Sequence, residues 1–164
     1  MGYWLFYAGP ENYLGADGVR RLGTETALWS GAPGGRKGDL AALYPRSLTK
    51  VSVEQLREMT GMTVQRAQEV KRSQIGSDIP LIWRIVSGNQ GPFNAWSNGY
   101  VVEPRRTIDP PITLRELKAE PRLRKWEDLQ WNFQAQGREA LEIPDFAWAI
   151  LEEMIEKRVG SRTP

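Results

Sequence analysis

The sequence predicts an α+β domain built on a curled β-sheet or small barrel with flanking helices. Three observations carry this. Short apolar runs, each stopped by Gly or Pro, recur along the chain and read as strands. Between them lie a few amphipathic segments opened by capping residues. No repeat of 20–50 residues is visible, which sets aside solenoids and propellers. The 164 residues, 40% hydrophobic and 26% charged, suit one domain with a core of its own.

Taken in order, YWLFYA at 3–8 is aromatic and apolar and stops at Gly9-Pro10, as a buried strand does. A short helix is expected within 12–23. Residues 26–30 (TALWS) form a second strand, with Trp29 just before the glycine-rich loop GAPGGRKGD. Strand character resumes over 40–44 and stops at Pro45. Residues 52–73 differ in kind. Ser52 and Gln55 make a capping box, Gly61 breaks the run, and Thr63 caps again ahead of Val64, Ala67 and Val70. These predict a helical hairpin, inserted over about 46–77.

An apolar strand follows at 79–87, then a loop, 89–100, reading NQGPFNAWSNGY. Turn formers dominate it, yet Phe93, Trp96 and Tyr100 sit inside. Residues 100–103 read as a strand, and Ile108-Asp-Pro-Pro-Ile112 as a turn into another extended piece. Thr113 with Glu116 opens a short helix that ends at Pro121. Residues 129–134 (LQWNFQ) fit a strand or a loop. After Pro144 an amphipathic helix places Phe146, Ile150, Leu151, Met154 and Ile155 on one face, and 160–164 should fray.

Function is bounded first by what is missing. The chain has no Cys and no His, so disulfides, thiol nucleophiles, Cys/His zinc sites and imidazole bases are excluded. Ser47-Leu-Thr-Lys50 matches S-x-x-K, but its partner motifs are missing. GAPGGRKGD lacks the G-K-[ST] of a phosphate loop and reads as a flexible turn. Glu152 and Glu153 are helix neighbours that do not face each other, while Asp39 and Asp78 precede strands and suit turn closure. No nucleophile, base and orienter come together, so a non-enzyme with no cofactor and no metal is expected. No apolar run approaches a membrane span and MGYWLFYAG is too short for a signal peptide, so a cytoplasmic protein is expected. Seven Trp residues point instead to an aromatic site. Trp4, Trp83 and Trp148 have apolar neighbours and belong in the core, as does Phe133. Trp126 and Trp131 fit either place.

One arrangement of features goes further. Gly38-Asp39-Leu40 and Tyr44 mark a strand start. Downstream come Trp96-Ser97-Asn98-Gly99, Pro111-Ile112-Thr113, Leu117-Lys118, Pro121, Leu123, Trp126, Leu129 and Asn132-Phe133-Gln134. Ile143-Pro144-Asp145, Trp148 and Leu151 close the series. With the YWLF strand, this order resembles the EVE domain of the PUA-like superfamily, related to YTH domains, across about the whole chain once 46–77 is set apart.

The resemblance implies a curled β-barrel with flanking helices that binds a nucleic-acid base, often a modified one, between aromatic walls. Its implied pocket is Trp29, Ser30, Tyr44, Trp96, Ser97, Asn98, Asn132 and Gln134. A flipped base stacks on a ring for about 1–3 kcal/mol, while polar neighbours read its edge. Arg36, Lys37, Arg66, Lys71 and Arg72 are the cations expected to meet the phosphate backbone. Two departures stand out. After Trp29 only Ser30 and Arg36 replace the longer polar segment of many EVE domains. The inserted hairpin has helix-turn-helix spacing and carries six basic residues against three acidic ones over 46–74. The alternative is therefore a DNA-binding regulator that reads a groove with the hairpin while the barrel serves as scaffold. Either way the partner is DNA or RNA, beside a nuclease or modifying enzyme supplied elsewhere. A pocket for a small ligand or peptide is the third possibility.

Overall fold

The structure is a computed structural model that describes residues 1–22, 25–73, 77–92, 95–134 and 137–162, with side chains through 158. Phe93 lies outside the described residues. Six strands form one sheet in the order β2-β5-β4-β3-β1-β6. They are β1 (Tyr3–Ala8), β2 (Ala27–Ser30), β3 (Leu40–Pro45), β4 (Asp78–Ile85), β5 (Gly99–Thr113) and β6 (Ala140–Glu142). β1 and β3 run parallel, and every other pairing is antiparallel.

Strand β3 is buried at all six positions because both faces of the sheet are covered. Alternation sorts its side chains. Leu40, Ala42 and Tyr44 join a core with α4 (Leu114–Ala119), α5 (Glu127–Gln130) and α6 (Asp145–Arg162). Ala41 and Leu43 join the opposite core, beneath α1 (Pro10–Tyr13), α2 (Val53–Thr60) and α3 (Val64–Ser73). The sheet curls around this second core. Phe6 of β1 stacks on Tyr100 of β5 at 6.4 Å although two strands lie between them. Register shifts between β4 and β5 supply the bend.

The predicted caps are all present. Ser52–Gln55 and Thr113–Glu116 form reciprocal capping boxes, Gly61 ends α2 at φ 77°, and Thr63 Oγ1 accepts from Arg66 N. β3 and β4 are antiparallel neighbours, so the helical hairpin occupies what would otherwise be a short turn. Its Leu56, Met62, Ala67 and Val70 are buried against Tyr13, Leu14 and Leu48. Asp39 closes its turn from inside: its carboxylate accepts from Gly2 N, Trp4 Nε1 and Arg36 N at 2.8–3.0 Å. Asp78 instead takes both arms of the Arg20 guanidinium.

Four expectations need correction. The extended pieces at 100–103 and 108–112 are one fifteen-residue strand, β5, that carries Pro110 and Pro111 within it. Residues 129–134 end a short helix and turn. The short helix begins earlier than expected, with Pro10 at its first position. Phe146 lies 43% exposed, because α6 turns Ala147, Trp148, Leu151 and Ile155 inward. β6, three residues long, carries too little pattern to be read from sequence. Among the described residues no helix is long and apolar enough to cross a membrane.

Candidate nucleic-acid interface

Strand β2 ends as Trp29-Ser30, paired with Tyr100 and Gly99 of β5. That register sets the loop before β5 beside the end of β2, and Gly31 N donates to the Asn98 carbonyl at 3.3 Å. Trp96, 45% exposed, stands on this loop. Glu139 fixes the loop from across the molecule: its carboxylate accepts from Ser97 N (2.9 Å), Asn98 N (3.2 Å) and Asn98 Nδ2 (3.3 Å). The Asn98 amide oxygen also accepts from Asn89 Nδ2 at 2.7 Å. The Asn98 side chain therefore spends its donor and acceptor inside the protein.

Trp29 is only half-buried, yet it is held firmly. Its indole N–H donates to the Tyr7 carbonyl at 2.9 Å, reaching from the edge strand to β1 with three strands between. Its ring meets Trp83 edge-on at 4.9 Å. The two indoles line a cavity of about 280 Å³ together with Asn12, Leu22, Glu25, Thr26 and Ala27. The Trp83 indole N–H is buried and has no acceptor among the described residues.

Tyr7 continues the chain of contacts. Its hydroxyl donates to the Phe133 carbonyl at 2.6 Å, and the Arg46 guanidinium lies 4.5 Å over its ring. Burial pushes the Tyr7 hydroxyl pKa well up, against the pull of Arg46 and Arg138. Asn132 and Gln134 are exposed on the turn that Tyr7 grips. Asn132 and Phe133 both have left-handed backbone, φ 54° and 55°. For a Phe this costs about 1–3 kcal/mol, tolerated only where packing holds it. Phe133 is buried between Trp126 and Tyr44, at 4.9 and 5.2 Å.

The expected pocket residues therefore fall into two groups. Trp29, Ser30, Trp96, Ser97 and Asn98 come together through the β2–β5 register. Asn132 and Gln134 flank Phe133, which packs with Tyr7 and Tyr44 in the core opposite the one that holds Trp29 and Trp83, and only Tyr7 links the two groups. Tyr44 is 4% exposed and lies behind Tyr7 in the core, where burial raises its hydroxyl pKa. Asn12, Glu25, Glu139 and Tyr7 carry no sequence signal. They sit in ordinary loops and strands, and only the curl of the sheet brings them here.

The expected cations differ in availability. Arg36, Lys37 and Arg72 are exposed. Arg66 donates to the Asp17 carbonyl at 2.8 Å and pairs with Glu69 at 3.1 Å, while Lys71 Nζ donates to the Val51 carbonyl. Arg66 fastens the hairpin to the body, and Lys71 ties α3 to the segment that leads into α2. Glu152 accepts the Trp148 indole N–H and Glu153 pairs with Arg122, so neither is half of a carboxylate pair. Among the described residues no cluster of acidic side chains could hold a metal ion.

No family model matches the chain, and no curated protein matches it in sequence. Solved structures do match in fold. A hypothetical protein from Leishmania major superposes with a TM-score of 0.61 at 17% identity, over 96% of each chain. Rpa0253 from Rhodopseudomonas palustris gives 0.56 at 16%, covering all of this chain and 97% of its own. Human THYN1 protein, solved in complex with 5-methylcytosine-containing DNA, gives 0.56 at 14%, over 95% and 98%. The chain thus shares the fold of these proteins along nearly its whole length.

Proposed function

We propose that this PUA-like, EVE-type domain binds nucleic acid without chemistry of its own, by holding one base, modified or not, against Trp29. The carrying observation is the state of that side chain: its N–H is committed to the Tyr7 carbonyl and its ring is braced by Trp83, yet it stays half open beside a cavity. A platform fixed before the ligand arrives spares the entropy of ordering it. The cavity, about 280 Å³, falls just below the roughly 300–1,000 Å³ of drug-sized sites, which suits a single base. Asn12 offers an amide that both donates and accepts, Glu25 an acceptor for an exocyclic amine, and Leu22 and Ala27 apolar contact for a methyl group.

The 5-methylcytosine DNA bound by the human fold-mate supports the same ligand class here. Trp96 and Ser97, with Ser30, form the far wall in this reading. Asn132 and Gln134 add amides at the rim, and Asn98 shapes the loop. Arg36 and Lys37 take phosphates. A partner nuclease or modifying enzyme then acts on what the module holds. The alternative, groove reading by the hairpin, must do without Arg66 and Lys71, which bond internally, and keeps Arg72.

Tryptophan fluorescence during titration with nucleosides, modified and unmodified, tests the reading. One or a few bases should quench the protein, and Trp29→Phe should remove the quench while calorimetry shows weakened binding. The same titration on Trp96→Phe tests the far wall. Silence to every base, with binding only to duplex at low salt, would move the function to the hairpin.

A further inference from the structure

Trp131 is the most exposed indole among the described residues, at 62%, and the base pocket does not use it. A lone exposed ring needs no explanation by itself. This one, however, stands on a turn built at a backbone cost. The residues after it, Asn132 and Phe133, are both left-handed. Phe133 is locked by its buried ring, by Phe133 N donating to the Asp128 carbonyl at 2.8 Å, and by the Tyr7 hydroxyl on its own carbonyl. The result is a rigid turn that presents an indole to solvent.

Tyr7 ties this turn to the pocket. Its hydroxyl holds Phe133, its carbonyl holds the Trp29 indole, and Arg46 lies across its ring. Arg46 is exposed and makes no ion pair with a carboxylate among the described residues. Along Tyr7, from carbonyl to ring to hydroxyl, stand the Trp29 indole, the Arg46 guanidinium and the turn that carries Trp131, two residues before Phe133. A nucleotide strand presents base, phosphate and base in that same order.

We infer that the 131–134 turn is a second stacking platform: Trp131 receives the nucleotide next to the one held at Trp29, and Arg46 takes the phosphate that joins them. This rests on the base-binding reading above and extends it from one base to a linked pair. Aromatic stacking tolerates any base, so the second position adds affinity and requires an unpaired neighbour without adding sequence preference. Arg46, already spread over the Tyr7 ring, meets the phosphate with its guanidinium preordered.

The test compares a nucleoside with a short single-stranded oligonucleotide containing the same base, on the native protein, Trp131→Ala, Trp131→Phe and Arg46→Gln. Trp131→Ala should lower the ratio of oligonucleotide to nucleoside affinity about ten-fold, the size of one lost stacking contact. Trp131→Phe, which keeps a ring, should restore most of that ratio. Arg46→Gln should also flatten the salt dependence of oligonucleotide binding by about 0.7 in log–log slope. An unchanged ratio in Trp131→Ala overturns the platform, whatever the nucleoside titration shows. A native protein that takes no nucleoside, yet loses ten-fold in oligonucleotide affinity on Trp131→Ala, overturns the pocket and keeps the platform.

Discussion

At the residue scale, two side chains show how much a single group can hold in place. Tyr7 joins three parts of the interface through its carbonyl, its ring and its hydroxyl. Tyr7→Phe keeps the first two and removes the third, leaving the Phe133 carbonyl without its donor. It should cost about 1–2 kcal/mol of stability in denaturant unfolding, with the effect concentrated on the 131–134 turn in hydrogen exchange. Asp39 works differently. Burial raises its carboxyl pKa, but the Trp4 indole, Gly2 and Arg36 N–H donors outweigh that and hold it below the usual range. A carboxyl depressed on folding contributes stability that is complete above its unfolded pKa, near about 4, and fades as pH falls through the folded value. Thermal melts across that acid window should show a steeper loss in the native protein than in Asp39→Asn. Equal slopes would mean that the three donors do not favour the charged form.

At the element scale, what was legible in the sequence was whatever local physics decides. Ser52, Gly61, Thr63 and Thr113 act within their own turns, and each sits where its residue type predicts. Gly61→Ala must place a Cβ on left-handed backbone at φ 77° and should cost about 1 kcal/mol. Ser52→Ala should lose a similar amount through its cap. Far-ultraviolet dichroism during urea unfolding measures both, and a neutral Gly61→Ala would mean that the hairpin relaxes at no cost. Elements decided by distant partners were not legible. Asp109-Pro110-Pro111 reads as a turn, yet β4 pairs with β5 on either side of it, so one strand runs through. Phe146 fits an apolar stripe in sequence, but α6 docks with Trp148 stacked on Tyr3 at 4.6 Å, and this rotates Phe146 outward. The site divides in the same way. Trp29 and Trp96 stood out because large rings beside glycine-rich loops need a reason. Asn12, Glu25 and Glu139 did not, since each is an ordinary polar residue until the sheet curls.

At the scale of the whole molecule, the charge distribution decides how the domain can hold a strand. The net charge is only +2, so long-range attraction to a polyanion is weak and local cations must provide the phosphate contacts. Half of the sixteen arginines are already committed: Arg20, Arg21, Arg66, Arg84, Arg106, Arg122, Arg138 and Arg158 pair with carboxylates. If Arg36, Lys37 and Arg46 each neutralise one phosphate of a single strand, the log–log slope of affinity against salt should be about −2. Nucleoside binding, which releases no counterions, should be flat over the same range. A slope near zero for oligonucleotides would show that stacking alone holds the ligand and that these cations are bystanders. A slope of roughly −4 or steeper would require more phosphate contacts than these three cations supply. The exposed Arg72 on the hairpin would then be the next cation to remove. Salt titration would thus measure how far a strand held in the proposed way extends from Trp29 toward the inserted helices.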